Sequence, residues 1–213
     1  MKPVTILIAL LVLPFCSCRA VPNPSHDDAS PADAPVRVTL PAGIVELPPA
    51  AALLARLRSL PSSNAVVCVL GVDSKVRSSA ARKALADAGV EQLGSVPGGA
   101  YLVRGVPAQL ATALNTGLFP VAREYLPSDK GVPPPSDAAP AVFVVLAFPG
   151  TDLSTLRTMI AANSGCEVLA EPSDASLRVR MAHVGFRFVA AIPSVQSIGR
   201  WFEPALTPAG RNR

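Results

Sequence analysis

The sequence predicts an α+β fold made of two consecutive units, each with the order strand, helix, strand, strand, helix, strand. Apolar runs of strand length, "AVVCVLGV" and "AVFVVLAF", each precede a stretch with helical periodicity. Two pairs of shorter apolar segments follow, "GVEQLGSVPGGAYLVRG" and "GCEVLAEPSDASLRVRM", each joined by a turn of small or polar residues. Landmarks recur at a nearly constant offset, Gly89 with Gly165 and Val121 with Val195, which favours a duplication.

Residues 1–20, "MKPVTILIALLVLPFCSCRA", have the pattern of a signal peptide. Lys2 gives a positive start, and the apolar run from Ile6 to Phe15 is too short to span a bilayer. Cleavage after Ala20 would give a secreted or periplasmic protein without a transmembrane span. Lipidation at Cys18 is the alternative and would give a membrane-anchored lipoprotein.

The segment between the leader and the first unit divides into two parts. Residues 21–35 are polar and Pro-rich, which predicts a disordered spacer. Residues 36–60 predict an N-terminal arm and a helix. The arm is expected to be a short hairpin around Pro41 or an extended segment, and Leu53, Leu57 and Leu60 share one face of the helix.

Residues 61–127 form the first predicted unit. Its first strand is apolar throughout, so we expect it to be buried on both faces. The first helix has a stripe of apolar residues and ends at Gly89 as a C-terminal cap. The stripe consists of Val76, Ala80, Ala84, Leu85 and Ala88. A hairpin around "PGG", a helix with Pro107 in its first turn, and a strand from Val121 complete the unit.

Residues 128–140 predict an extended Pro-rich linker, and residues 141–204 predict the second unit. In that unit Asp152 is placed to cap the first helix, and Gly165 is expected to end it. A hairpin around Pro172, a helix from Ala182 and a last strand from Ser194 follow. Residues 205–213 are the C-terminal tail.

The predicted order is that of a ferredoxin-like βαββαβ unit, so the sequence predicts two such units in tandem. Each would place two helices on one face of a four-stranded sheet. Val67, Val69, Val144 and Leu146 make the other face apolar. Because an exposed apolar sheet would be prone to aggregation, we expect this face to pack on the other sheet, on the N-terminal arm or on a partner.

The inventory of reactive residues argues against an enzyme, a cofactor site and a metal site. The two histidines, His26 and His183, lack neighbours at metal-ligand spacing, and no nucleophile or phosphate-binding motif is present. Cys68 and Cys166 are expected to be buried thiols, with a disulfide left open.

The charge pattern gives no nucleic-acid signature. The chain carries a net charge of +4 without a basic cluster. Four arginines in the second unit are interpreted as a solvated face, with an anion site as the alternative. They are Arg178, Arg180, Arg187 and Arg200.

The stretch "GVEQLGSVPGGAYLVRGVPAQLATAL", followed by "VAREYLPSDK", resembles the N-terminal, non-catalytic region of secreted bacterial subtilisin-like serine peptidases. The arm "VRVTLPAGIVEL" and the closing phrase "IPSVQSIGRWFEP" extend the resemblance over residues 36–204. The Asp-Thr-Gly, His-Gly-Thr and Gly-Thr-Ser-Met-Ala signatures of the catalytic domain are missing. The chain is thus expected to be a stand-alone relative or a truncated or split protease.

The resemblance implies a propeptide-like protein that inhibits or chaperones a subtilisin-like protease. Its sheet would cover the protease surface, and the segment after the last strand would enter the substrate cleft by strand addition. The candidate binding residues there are Glu203, Pro204, Ala205 and Leu206. The alternative is an interaction module, or the remnant of a broken gene, that binds no protease.

Overall fold

The computed structural model describes residues 35–202, which form an α+β fold with sheets and five α-helices among these residues. All of them belong to a compact unit that begins at Pro35. The predicted leader with Cys18, the spacer up to residue 34 and the tail residues Glu203 to Leu206 lie outside the described residues. No helix within residues 35–202 is long and apolar enough to cross a membrane.

The N-terminal arm is a two-stranded hairpin followed by a helix. Strands β1 (Arg37–Leu40) and β2 (Gly43–Glu46) pair antiparallel. Helix α1 (Ala50–Leu57) begins directly after Pro49 and buries Leu53 and Leu57, as the sequence predicts.

The first four-stranded sheet and its two helices correspond to the first predicted unit. They are β3 (Val66–Gly71), α2 (Ser78–Asp87), β4 (Glu91–Val96), β5 (Ala100–Gly105), α3 (Pro107–Leu114) and β6 (Val121–Glu124). The sheet order is β4-β5-β3-β6, and every pair is antiparallel.

The second four-stranded sheet repeats this arrangement. Its elements are β7 (Ala141–Ala147), α4 (Leu153–Ala161), β8 (Cys166–Ser173), β9 (Ser176–Met181), α5 (His183–Ala191) and β10 (Val195–Arg200). The sheet order is β10-β7-β9-β8, again antiparallel throughout. When the strands are numbered within each set of four, both sheets have the order fourth, first, third, second. The two sheets are separate.

One face of each sheet packs on helices. Cys68 and Leu70 of β3 point into a core with residues of α1, α2 and α3. In the second sheet Phe143 and Val145 of β7 point into a core with residues of α4 and α5. Because neighbouring residues of a strand point to opposite faces, the residues between them belong to the other face of each sheet.

The arm covers the other face of the first sheet. Val38, Leu40 and Leu47 pack with Val69 and Leu102 in a third buried cluster. β3 is therefore buried on both faces, as its apolar sequence predicts, and the arm is one of the three covers that we expected over such a face.

Gly98 lets the arm approach the turn between β4 and β5. Its φ is +102°, and a Cβ at this position would collide with the backbone of Arg37. The backbone N–H of Thr39 donates to the carbonyl of Pro97 at 3.0 Å beside it. Glycine is required here both for the left-handed conformation and for the space.

The segment predicted as an extended linker is only partly so. A short 3-10 helix (Pro127–Asp129) begins it, and Asp129, Lys130 and Gly131 are buried. The Lys130 ammonium donates to the carbonyl of Ile192 at 2.7 Å, just after the C-terminus of α5, where a cation is favourable. The Lys130 carbonyl accepts from the N–H of Ile198 at 2.6 Å. Lys130 thus fastens the linker to the second sheet.

Three details differ from the sequence-based predictions. Helix α2 begins at Ser78 and buries Ala81 rather than Ala80, which is exposed. Helix α4 ends at Ala161, so Gly165 does not cap it and instead directly precedes β8. Strand β8 continues through Pro172 to Ser173, which moves the turn of that hairpin to the next two residues. Gly89 does follow the end of α2 with a φ of +69°, as expected.

Candidate functional site: the open face of the second sheet

The face of the second sheet that points away from α4 and α5 has no covering hairpin among the described residues. On β7, Val142, Val144 and Leu146 alternate with core residues and point to this face. Leu146 is exposed, and the two valines are half-buried. The first sheet has no comparable surface, because the arm covers it.

Two arginines of β9 lie on the same face. Leu177, Val179 and Met181 enter the helix-side core, so Arg178 and Arg180 between them point the other way. Arg178 pairs in register with Val144, and Arg180 pairs with Val142. Each guanidinium therefore stands beside a valine side chain in the middle of the sheet.

Trp201 extends the face beyond the end of β10. Its backbone N–H donates to the carbonyl of Val142 at 2.9 Å, which continues the pairing with β7. The guanidinium carbon of Arg178 lies 4.2 Å from the centroid of the Trp201 ring, a cation–π contact. The next residue, Phe202, is 74% exposed, and the Arg200 guanidinium lies 5.7 Å from its ring centroid.

We use the term open face for these apolar and basic residues together with Leu169 of β8. The open face consists of Val142, Val144, Leu146, Leu169, Arg178, Arg180, Arg200, Trp201 and Phe202. Arg200 is included because it lines one cavity with Arg178 and Trp201, although its register partner Phe143 points into the helix-side core. A patch that combines exposed aromatic, aliphatic and arginine side chains has the composition typical of the core of a protein–protein interface.

The charge on the open face is partly compensated. Arg180 forms an ion pair of 2.6 Å with Glu167, its cross-strand neighbour on β8. Arg178 and Arg200 form no ion pair with another described residue. The Nε of Arg178 is buried and has no hydrogen-bond partner among the described residues. The open face therefore keeps an excess of positive charge.

The remaining sequence-based candidates do not assemble into a reactive site. Cys68 and Cys166 are free, and burial, together with Glu124, raises the pKa of the Cys68 thiol to about 12. His183 begins α5, where its Nδ1 lies 2.7 Å from the carbonyl oxygen of Pro134. Within residues 35–202, no group of three or more His, Cys, Asp or Glu side chains could hold a metal ion.

A groove of about 670 Å³ lies between the linker and α5, with mainly apolar walls. Arg187 lines this groove and is thereby separated from the three arginines of the open face. The four arginines that the sequence grouped together thus divide between two surfaces. The alternation in "SLRVRM" is the signal that could have separated Arg178 and Arg180, because it places both on one side of β9. No functional role for Trp201 is predicted from the sequence.

No protein-family model, curated protein or solved structure matches this chain.

Proposed function

We propose that the chain is an exported, non-catalytic protein that binds a subtilisin-like serine protease and inhibits it or assists its folding. The open face is the contact surface in this proposal. The observation that carries it is the contrast between the two sheets: the arm covers the first, whereas the second presents an apolar and arginine-rich face.

The strand order supports the proposal that the chain contains two tandem ferredoxin-like units. Both sheets have the order fourth, first, third, second, with antiparallel pairs and two helices from the unit itself on one face. This is the fold that the resemblance to subtilisin-like propeptides implies.

The position of the open face supports its role as a docking surface. Its last described residues, Trp201 and Phe202, lead directly into Glu203 to Leu206. A partner seated on the sheet would therefore meet the C-terminal segment beside it. In the proposal this segment enters the substrate cleft by strand addition, and Leu206 supplies its bulky apolar side chain.

The test is a titration of protease activity with the protein from residue 21 onward. Subtilisin-like proteases secreted by the same cells are assayed on a chromogenic peptide, and complexes are sought by gel filtration. We expect saturable inhibition and co-elution with at least one protease, or faster refolding of a denatured one.

Two variants locate the contact. Leu146→Asp places a charge on the open face and is expected to weaken inhibition at least tenfold. Ile44→Asp is the control, because Ile44 is a similar apolar side chain that is also exposed, 74% against 41% for Leu146, but lies on the hairpin. Equal loss in both variants would contradict the assignment of the open face. Absence of inhibition, complex and folding assistance across the panel would leave the interaction-module or gene-remnant alternative.

A further inference from the structure

The arginines of the open face differ in whether a carboxylate pairs with them. Arg180 lies directly opposite Glu167 and is paired with it at 2.6 Å. Arg178 has Val144 on one side and Ala170 on the other as its cross-strand partners. No carboxylate of a described residue is within ion-pair distance of Arg178 or Arg200. The sheet therefore neutralises one of its three guanidinium groups.

Stacking on Trp201 holds Arg178 in place without a carboxylate. A guanidinium that stacks on an aromatic ring still has its N–H groups available for hydrogen bonds, because they point outward in the plane of the guanidinium. The buried Nε of Arg178 lacks a partner among the described residues, and an unsatisfied buried N–H is costly. Because the Nε is buried, a ligand that brings carboxylate oxygens beside Trp201 would pair with the terminal Nη groups of the same guanidinium.

We infer that the open face recognises an acidic segment of its protein partner. Carboxylates of that segment pair with Arg178 and Arg200, and an apolar side chain packs on Trp201 and Leu169, which line the same cavity. The inference rests on the proposed function for the open face as the contact surface, and it adds the chemistry of the partner.

The distribution of charge favours an acidic protein segment over a nucleic acid. A nucleic acid needs a row of cations along its phosphates, whereas the open face has two uncompensated arginines and the carboxylate of Glu167. Val142 and Leu169 line the same cavity as these arginines and match aliphatic side chains. Arginine and tryptophan side by side are the residue types that most often dominate protein–protein binding energy.

Trp201 provides a direct readout, because it is the single tryptophan of the chain. A Glu/Leu/Ala decapeptide without aromatic residues is titrated into the protein while the Trp201 emission is recorded. The Lys/Leu/Ala counterpart and oligodeoxythymidylate are the comparison probes. We expect a saturable change with the Glu peptide alone, and weaker binding as the salt concentration rises.

Substitutions assign the effect to residues. Arg200→Gln and Arg178→Gln are each expected to weaken Glu-peptide binding about tenfold, the effect of losing a charged hydrogen bond. Arg187→Gln on α5 is the control and is expected to bind as the unmodified protein does. Arg200 is exposed, so its variant tests the inference even if Arg178→Gln misfolds.

The outcomes separate this inference from the proposed function. Absence of Glu-peptide binding, equal binding of the Lys peptide, or tighter binding of the oligonucleotide would overturn the inference. Protease inhibition that survives both arginine substitutions and is independent of salt would overturn the inference and leave the proposed function intact. Glu-peptide binding through both arginines by a protein that binds no protease would support the inference and refute the protease as partner.

Discussion

Replacing Phe148 with alanine is expected to destabilise both sheets together. Phe148 directly follows β7 of the second sheet, yet its side chain is 1% exposed and lies in the cluster under the arm on the first sheet. Its ring contacts Tyr125 edge to face, with 6.4 Å between the centroids, and the Arg104 guanidinium lies 5.3 Å from its centroid. The Tyr125 hydroxyl in turn donates to the carbonyl of Gln196 at 2.8 Å in β10.

Truncation of a fully buried phenylalanine to alanine costs about 3–5 kcal/mol. With a urea dependence of about 1–3 kcal/mol per molar, the unfolding midpoint should fall by more than about 1 M. Urea unfolding is followed by the emission of Trp201, which reports on the second sheet, and by far-ultraviolet circular dichroism, which reports on the whole chain. Both transitions should move together.

Phe202→Ala is the matched control, because the same ring is removed from a side chain that is 74% exposed. Its free energy of unfolding should stay within about 0.5 kcal/mol of that of the unmodified protein. A Phe148→Ala variant with a loss below about 1 kcal/mol, or with an unchanged Trp201 transition, would refute the coupling of the two sheets through Phe148.

Three further substitutions test individual contacts. In urea melts, Gly98→Ala should lower the free energy of unfolding by at least about 1 kcal/mol more than Gly99→Ala does. Both glycines have positive φ, but a Cβ would collide only at Gly98. Equal losses would contradict the close approach of the arm. Burial lowers the pKa of Lys130 from 10.5 to about 8, so the unfolded chain holds a proton between these values that the folded chain has lost. Stability relative to Lys130→Met should therefore rise from pH 8 to pH 10.5, by at most about 3 kcal/mol, and a flat difference would show that Lys130 is hydrated. The Thr155 hydroxyl, followed by the hydroxyl and N–H of Ser154, lowers the pKa of Asp152 below its ordinary 3.8. Asp152→Ala should thus lower the melting temperature at neutral pH, and the difference should narrow as the pH falls below 3.8 through the lower folded pKa; a difference independent of pH would contradict the role of the carboxylate.

The order of the elements is predictable because each element has its own local sequence pattern. The apolar run of β3 indicated a strand buried on both faces, and Asp152 caps α4 as expected, with its Oδ1 accepting from the N–H of Ser154 at 3.0 Å. Val121 and Val195 begin the closing strands of the two sheets, as the duplication suggested.

The errors arise where tertiary contacts override local signals. Ala80 and Ala81 are equivalent by composition, and the packing of α2 decides which one is buried. Pro172 predicted a turn, but it lies on β8, an edge strand of the sheet, where a missing N–H is tolerated. The burial of Lys130 could not be foreseen, because its partner, the Ile192 carbonyl, is 62 residues away along the chain.

Only part of the open face can be predicted from the sequence. The sequence predicts that Val144 and Leu146 lie on a sheet face that needs a cover, and it predicts a group of arginines in the same unit. That the arm covers one sheet and leaves the other open depends on where the hairpin docks, which no local pattern states. The contact of Arg178 with Trp201 joins β9 to the residue that follows β10, and these two strands are separated by β7 in the sheet.

Hydrogen exchange of the protein bound to a subtilisin-like protease tests the central claim most directly. The protease carries alanine in place of its catalytic serine, and exchange is mapped by mass spectrometry with and without it. We predict slower exchange in peptides that cover β7, β9 and residues 195–202, with the hairpin of residues 37–46 unchanged. Protection confined to the hairpin or to the helices, with none on the second sheet, would contradict the account.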